Sequence, residues 1–395
     1  MTATHDTHST TATAPTLYLA FELGWNTWNL AFTTGMAQKP RLRPMTARSL
    51  EVLRAEIQAA KKRFGLPEDA PVASCYEAGR DGFWLHRYLA AQGVANVVVD
   101  AASIEVNRRF RRAKSDGLDV AKLLTMLIRW HGGERTLWSV VKVPTVADED
   151  RRQLHRELLA LKRQRTEHSN RIKGLLAGYG LSVIVDEEFP ERLEGLRQWD
   201  GSAVPEELHR RLSREFERWK LADRQARDLD NERARKIRST ETFAVEKVRK
   251  LLDLGGIGEN SAWLFVMEFF AWRQIKNRRE LGSLAGLTPT PYHSGESERE
   301  QGISKAGNAR LRTMAIEIAW GWLRYQPESE LSQWYRRRFG AGNTRLRKVG
   351  IVALARKLLV ALWKYLEQDE LPAGAVVSAW EKKLNGRLPA EKQVG

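Results

Sequence analysis

The fold is decided at residues 16–23, TLYLAFEL, which are followed by Gly24-Trp25-Asn26 and by residues 28–33, WNLAFT. In both stretches apolar residues alternate with others, which is the period of a β-strand. Glycine and asparagine between them are turn formers. The sequence therefore predicts a β-hairpin at the front of the chain.

Strands and helices alternate after this hairpin. Helical spacing occurs at 49–64, 81–91 and 116–130, and short apolar runs typical of buried strands occur at 72–76 and 94–99. Strands first, then strand and helix in turn, indicate an α/β domain over 16–149. Residues 1–15, rich in Thr, Ala and His, are expected to form a disordered tail.

Two long, highly charged helical stretches follow, at 148–178 and 206–238. Leu154, Leu158 and Leu161 fall on one narrow apolar stripe of the first. The pattern predicts a helical coiled-coil region over 150–244, as a hairpin or a dimer stalk. A solvated helix pair is the alternative.

Residues 245–370 contain several predicted helices and glycine-rich turns, which indicate a mostly α-helical domain. Trp320, Trp322 and Trp334 occur at helical spacing and are predicted to belong to its core rather than to a surface that stacks bases. Residues 371–395 are predicted to be a tail with a short helix.

The chain has 65 basic and 49 acidic residues and a formal net charge of +16, spread over its whole length. A distributed positive charge favours nucleic acid over an anionic membrane as partner, although a solvated basic protein is the alternative. The single cysteine, Cys75, excludes a disulfide framework and fits a cytoplasmic protein. No apolar run approaches the ~20 residues of a membrane span.

Four acids occur where a metal site could use them. Glu22 lies near the end of the first strand, Glu77 follows the strand at 72–76, and Asp116 and Asp119 lie at a helix start. Carboxylates are the ligands that Mg²⁺ prefers, and bound Mg²⁺ supports phosphodiester chemistry. Alternatively, Asp116 is a helix cap, Asp119 favours the helix dipole, and Asp100 competes for a place in the cluster.

This order of acids, with KSDGLD at 114–119, resembles the RuvC-like domain of DEDD-type insertion-sequence transposases, the bridge-RNA-guided recombinases. The resemblance implies an RNase H-like (RuvC-like) fold and a Mg²⁺-binding catalytic tetrad of Glu22, Glu77, Asp116 and Asp119. The first acid of the family is usually Asp, whereas this chain has Glu22. Either the metal geometry adjusts to the longer side chain or the activity is reduced.

The turn LGGIG at 254–258 precedes an apolar stretch at 261–270 and resembles a helix-hairpin-helix motif. Backbone amides at Gly256 and Gly258 would then approach a phosphate, as they do at helix starts. Such a hairpin binds the nucleic-acid backbone without reading sequence. A tight structural turn is the alternative.

The segments GSLAGLTP at 282–289, YHSG at 292–295 and GISKAGN at 302–308, with the following RLR, resemble the C-terminal transposase domain of the same family. The resemblance implies a nucleophilic serine, matched here by Ser294. Ser297 and Ser304 are rival positions, and His293 is a candidate base. The cations expected to clamp a phosphate or RNA are Lys305, Arg310 and Arg312. Alternatively, Ser294 is a turn residue and the cations are a solvated helix face.

The resemblance implies an RNA-guided, site-specific DNA recombinase. Its serine would attack a DNA phosphate with the help of Mg²⁺ and form a transient phosphoserine link. The implied partners are double-stranded donor and target DNA, a guide RNA and further copies of the chain in a homodimer or homotetramer, with no membrane. Two alternatives stay open: a metal-dependent junction nuclease with an idle serine, and a non-catalytic nucleic-acid-binding remnant.

Overall fold

The computed structural model describes residues 15–104, 116–294 and 297–381, and gives only the backbone at 102, 116–118, 291–294 and 297–301. The chain divides into two compact units, residues 1–144 and 145–395. The first is a mixed α/β unit, and the second is mostly helical. No helix in the described ranges is long and apolar enough to cross a membrane.

A five-stranded mixed sheet forms the first unit, with strand order β3-β2-β1-β4-β5. The strands are β1 Leu17–Leu23, β2 Thr27–Thr33, β3 Arg41–Thr46, β4 Val72–Glu77 and β5 Ala95–Val99. Strands β1, β2 and β3 pair antiparallel, and β1, β4 and β5 pair parallel. The predicted hairpin is confirmed.

Strand β3 was not predicted from the sequence. Its residues RLRPMT are mostly exposed and lack the alternation of a half-buried strand. Pro44 has no backbone N–H to donate, which restricts it to an edge strand. Pairing with β2 places β3 there, and that pairing is a tertiary effect.

Helices cover the two faces of the sheet: α1 Leu50–Arg63 and α2 Trp84–Ala91 on one, α3 Asp116–His131 on the other. Because side chains alternate along a strand, Leu19 and Phe21 pack towards α1 and α2, whereas Ala20 and Cys75 pack against α3. Ser49 is the N-cap residue of α1, although its side chain makes no capping hydrogen bond.

The second unit begins with a helical hairpin. Its helices are α4 Val146–Asp150, α5 Gln153–Ala177, α6 Phe189–Gly195 and α7 Glu206–Ser239. Helices α5 and α7 pack on each other through Leu158, Leu161 and Ala226, so the predicted apolar stripe is a seam within one chain. The dimer stalk stays a prediction.

The remaining elements pack around one large core that joins α8, α9, α11 and α13. In chain order they are α8 Phe243–Leu252, α9 Glu259–Phe265, a π-helical turn Val266–Phe270, α10 Arg278–Leu284, β6 Pro289–Ser294, β7 Ser297–Ile303, α11 Ala309–Tyr325, α12 Glu330–Phe339 and α13 Thr344–Gln368. The predicted helix at 261–270 therefore changes to π geometry after Phe265.

Two predictions for this region need correction. Trp322 is fully buried, but Trp320 is 49% exposed and Trp334 only partly buried, so the three do not form one core set. Trp320 and Trp322 are two residues apart, a spacing that puts them on different helix faces. The first part of the segment predicted as a tail is anchored, since Gly255 N–H donates to Val376 O (3.1 Å) and Trp380 N–H donates to Asp253 Oδ1 (2.9 Å).

Candidate functional site

Glu22 and Glu77 lie side by side at the carboxyl-terminal ends of the neighbouring strands β1 and β4. Strands β1 and β4 are parallel, and their last registered pair is Phe21 with Tyr76, directly before the two acids. Neighbouring strands are about 4.8 Å apart, and residues in register point to the same face. That face is the one that Ala20 presents to α3.

Helix α3 brings Asp119 to the same place. Its buried residues Val120 and Leu124 pack on the face of the sheet that carries Ala20, and Asp119 precedes them near the helix start. Glu22, Glu77 and Asp119 all line one cavity of about 440 Å³. The structure thus brings three of the four predicted acids together.

Two other acids near this cavity differ from the predicted ones in their surroundings. Asp81 also lines it, but Arg48 Nη2 binds its carboxylate at 2.7 Å and compensates its charge. Asp100, the competing acid, is half-buried and does not line the cavity. Of the predicted acids, Glu22 has its Oε2 atom buried.

The donor chemistry of this cavity fits Mg²⁺, which takes carboxylate oxygens and keeps several waters. Among the described side chains, no three His, Cys, Asp or Glu are grouped so as to hold a metal ion. The side chain of Asp116 lies outside the described residues. The metal tetrad therefore stays a prediction.

The motif segments 282–289 and 302–308 interlock in the second unit. Gly286 has φ +67°, and a Cβ there would lie 2.0 Å from Ala306 O. Gly307 has φ +98°, and its Cβ would lie 2.2 Å from Leu284 O. Both positions require glycine because of backbone conformation and close approach. These glycines of the motif thus dock one loop on the other.

Ser294 is the last residue of β6 and pairs with Ser297, the first residue of β7. Both lie next to Gly295 and Glu296, which are outside the described residues. The side chains of Tyr292, His293, Ser294 and Ser297 are also outside them. The structure places Ser294 at the end of a hairpin strand, and its role as nucleophile stays a prediction.

The three predicted clamp cations differ in their surroundings. Lys305 and Arg310 are exposed, and Lys305 has the left-handed φ of +56°. Arg312 is half-buried, and its Nη1 donates to Lys305 O at 2.9 Å. Arg312 therefore supports the loop that carries Lys305, and phosphate binding by these three cations stays a prediction.

The glycine hairpin between α8 and α9 is tied down inside the chain. Gly258 N–H donates to Ser261 Oγ (3.1 Å), and Ile257 N–H donates to Leu254 O. A Cβ at Gly256 would lie 3.4 Å from Gly321 O of α11. These contacts give the turn a structural role, and phosphate binding by Gly256 and Gly258 stays a prediction.

The sequence-based reasoning missed Glu268, a buried acid in the π-helical turn. His155 Nε2 donates to its Oε1 at 2.9 Å, and Arg156 donates from Nε at 2.7 Å and Nη2 at 3.0 Å. Despite burial, these hydrogen bonds hold the pKa of Glu268 well below its ordinary value. The lone acid in the apolar run VMEFF was the signal that could have revealed it.

Glu268 also reaches the motif loop. Asn308 Nδ2 lies 3.5 Å from Glu268 Oε2, while the Asn308 side-chain oxygen caps α11 by accepting from the amides of Arg310 and Leu311. One carboxylate thus joins α5, the π-helical turn and the loop before α11. Turns of π geometry often occur at functional sites.

Comparison with known proteins places these features in a family. Residues 248–335 match the model described as "Transposase IS116/IS110/IS902 family". The chain is 39% identical over 374 residues, 91% of its length and 94% of the relative's, to "Putative transposase y4rJ" of Sinorhizobium fredii. The transposases for insertion sequence elements IS1328 of Yersinia enterocolitica and IS1111A of Coxiella burnetii are 26% and 27% identical, over 53% and 58% of this chain and 60% and 62% of their own. The chain belongs to the IS116/IS110/IS902 family of transposases.

Proposed function

We propose that this transposase is a DNA recombinase that cuts and rejoins DNA by phosphodiester transesterification in two chemical halves, a carboxylate site and a serine. The observation that carries the proposal is the cavity lined by Glu22, Glu77 and Asp119 at the ends of two parallel strands. The mixed sheet and the helix over its acidic face support an RNase H-like fold for this unit.

We assign Glu22, Glu77 and Asp119, with Asp116 at the start of the same helix, to hold Mg²⁺. Bound Mg²⁺ would polarise the scissile phosphate and stabilise charge on the departing oxygen. The carboxylates fix the position of that charge. The extra methylene of Glu22 lets a strand residue reach further into the cavity than Asp would.

We assign Ser294 as the nucleophile. Its hydroxyl oxygen forms a bond to phosphorus, its proton passes to a base or water, and the bond from phosphorus to the departing strand breaks. The departing oxygen then takes up a proton. Rejoining reverses these changes on a second strand, with Lys305 and Arg310 contributing charge to the phosphate.

We further propose that a structured RNA pairs with the donor and target DNA, and that the active particle contains two or four copies of the chain. The exposed cations of the motif loop and the net charge of +16 support binding of a second polyanion. The oligomeric state is measured by mass photometry of the protein purified with its RNA.

The test is a covalent-trap assay. Protein purified from cells that carry the whole element is mixed with Mg²⁺ and labelled junction DNA, and adducts that resist denaturation are counted. We expect Ser294→Ala and Asp119→Asn to abolish the adduct. Asp81→Asn is the matched control, because Asp81 lines the same cavity but is paired with Arg48.

An adduct that persists in Ser294→Ala would move the nucleophile to Ser297, Ser304 or Tyr292. DNA cleavage without any adduct in the parent protein would support the junction nuclease instead. Neither adduct nor cleavage in the parent, with RNA and DNA bound, would support the non-catalytic remnant. Loss of the adduct in Asp81→Asn as well would contradict the assignment of the carboxylates.

A further inference from the structure

A groove of about 1240 Å³ crosses the second unit, apart from every residue assigned above. Residues of α13 line the groove from Thr344 to Lys364, and residues of α10 and α12 line it as well. Pro289, Gly302 and Ile303 at the base of the β6–β7 hairpin complete the lining. All of these elements belong to the same compact unit.

The lining of this groove combines two chemistries. Its floor is aliphatic, with Val349, Val352 and Val360 of α13 facing Leu331 and Ile303. Seven cations stand among these residues, and no acid does: Arg278, Arg279, Arg345, Lys348, Arg356, Lys357 and Lys364. A cluster of like charges without acids destabilises the folded chain unless an anion binds there.

Most of these cations lack a compensating acid within the part of the chain that the structure describes. Lys364 pairs with Glu370 at 2.7 Å, and the Lys357 ammonium lies 4.7 Å from the ring centre of Trp334. The side chains of the other five cations make no hydrogen bond or ion pair with a described residue. These cations are Arg278, Arg279, Arg345, Lys348 and Arg356.

The α5–α7 hairpin differs from the groove because acids lie among its cations. That hairpin is equally rich in cations, but Lys162 pairs with Asp230 at 2.9 Å and Arg165 with Asp223 at 2.8 Å. Acids therefore pair with several cations of the hairpin, whereas no acid lines the groove.

We propose that this groove binds a short single-stranded segment of DNA beside the point of cleavage, an inference that rests on the proposed function. A duplex is convex and presents phosphates outwards, so it would leave an aliphatic floor uncovered. A single strand can lay its base faces on that floor while its phosphates meet the rim.

The position of the groove favours the DNA strand that is cut over the RNA. Pro289 lines the groove and begins β6, and Ser294 ends the same strand five residues later. At 3.3 Å per residue this is about 16 Å along the strand. A few nucleotides would span that length, so a strand held in the groove would have its next phosphates near Ser294.

The first test measures binding without chemistry, in the Ser294→Ala protein. Fluorescence anisotropy with a labelled single-stranded junction oligonucleotide is recorded across a range of salt. We expect Arg345→Gln with Lys348→Gln to weaken binding at least tenfold. The salt slope should fall by about 1.4, since each single-strand phosphate contact contributes about 0.7.

The matched control is Arg210→Gln with Arg214→Gln, which removes the same charge from the exposed surface near the start of another helix, α7. This control should bind the oligonucleotide like the Ser294→Ala parent. Equal weakening in both double variants would reduce the effect to net charge and overturn the groove as a site.

A second test locates the ligand. Cys75, the one natural cysteine, is fully buried, so Val349→Cys creates a single accessible thiol in the groove for an environment-sensitive fluorophore. We expect single-stranded DNA to change its emission, and Leu221→Cys on α7 to give no response. A response to RNA alone, to duplex alone or to rising protein concentration alone would overturn the proposal.

The two proposals fail separately. Absence of a covalent adduct in the parent protein, with intact groove binding, would refute the serine chemistry and leave the groove as a DNA site. An intact adduct in the parent together with unchanged binding in Arg345→Gln with Lys348→Gln would refute the groove and leave the chemistry.

Discussion

Replacing Glu268 by alanine should destabilise the second unit more than any surface change. Glu268 is 1% exposed and accepts three hydrogen bonds from His155 and Arg156, all within 3.0 Å. The variant leaves His155, which is fully buried, without its carboxylate partner. It also leaves the guanidinium of Arg156, 35% exposed, without a counter-charge.

The magnitude follows from this geometry. Removing one partner of a buried ion pair costs about 3–5 kcal/mol, because the remaining charge stays desolvated. Arg156 is partly solvated and can turn to water, which lowers the cost, whereas His155 cannot. We therefore expect a loss near the lower end, about 3 kcal/mol in the free energy of unfolding.

The assay is urea unfolding followed by circular dichroism, analysed as separate transitions because the chain has two units. Glu167→Ala is the matched control on α5, since Glu167 pairs with Arg163 on the surface, where both side chains are more than half exposed. That control should cost under about 1 kcal/mol. A loss for Glu268→Ala that equals the control would refute the reasoning.

Two further predictions concern the same unit. Gly307→Ala should destabilise it by about 1–3 kcal/mol, because the added Cβ would lie 2.2 Å from Leu284 O at φ +98°. The control Gly195→Ala should not destabilise the unit, because a Cβ at Gly195 meets nothing within 4 Å. Equal melting temperatures for the two variants would contradict this prediction. Because the pKa of Glu268 is depressed in the folded chain, its contribution to the free energy of unfolding should be fully present above the ordinary carboxyl pKa of 4.5. That contribution should decrease as the pH falls below 4.5. Thermal melts from pH 6 to pH 3 should show a smaller acid loss in Glu268→Gln than in the parent, and parallel curves would argue against it.

The sequence alone predicted the elements whose side-chain period is local. Alternation in β1 and β2 revealed the hairpin, and the 3.6-residue repeat revealed α3, α5 and α7. The same local rules predicted that Glu22 and Glu77 end their strands, since strand direction and alternation follow from backbone geometry. The motifs at 282–289 and 302–308 were identified by their resemblance to the family, and only the structure shows that Gly286 and Gly307 dock one loop on the other.

Tertiary structure determined which residues that are distant in the sequence pair or bond with one another. Strand β3 forms because β2 supplies its hydrogen-bond partners. The side chain of Arg312 is half-buried because its guanidinium donates a hydrogen bond to the carbonyl of Lys305. His155 and Glu268 are 113 residues apart, so no local pattern could pair them. The sequence predicts the sign and number of charges, but packing determines which cations pair with an acid, as Lys162 and Arg165 do, and which line the acid-free groove along α13.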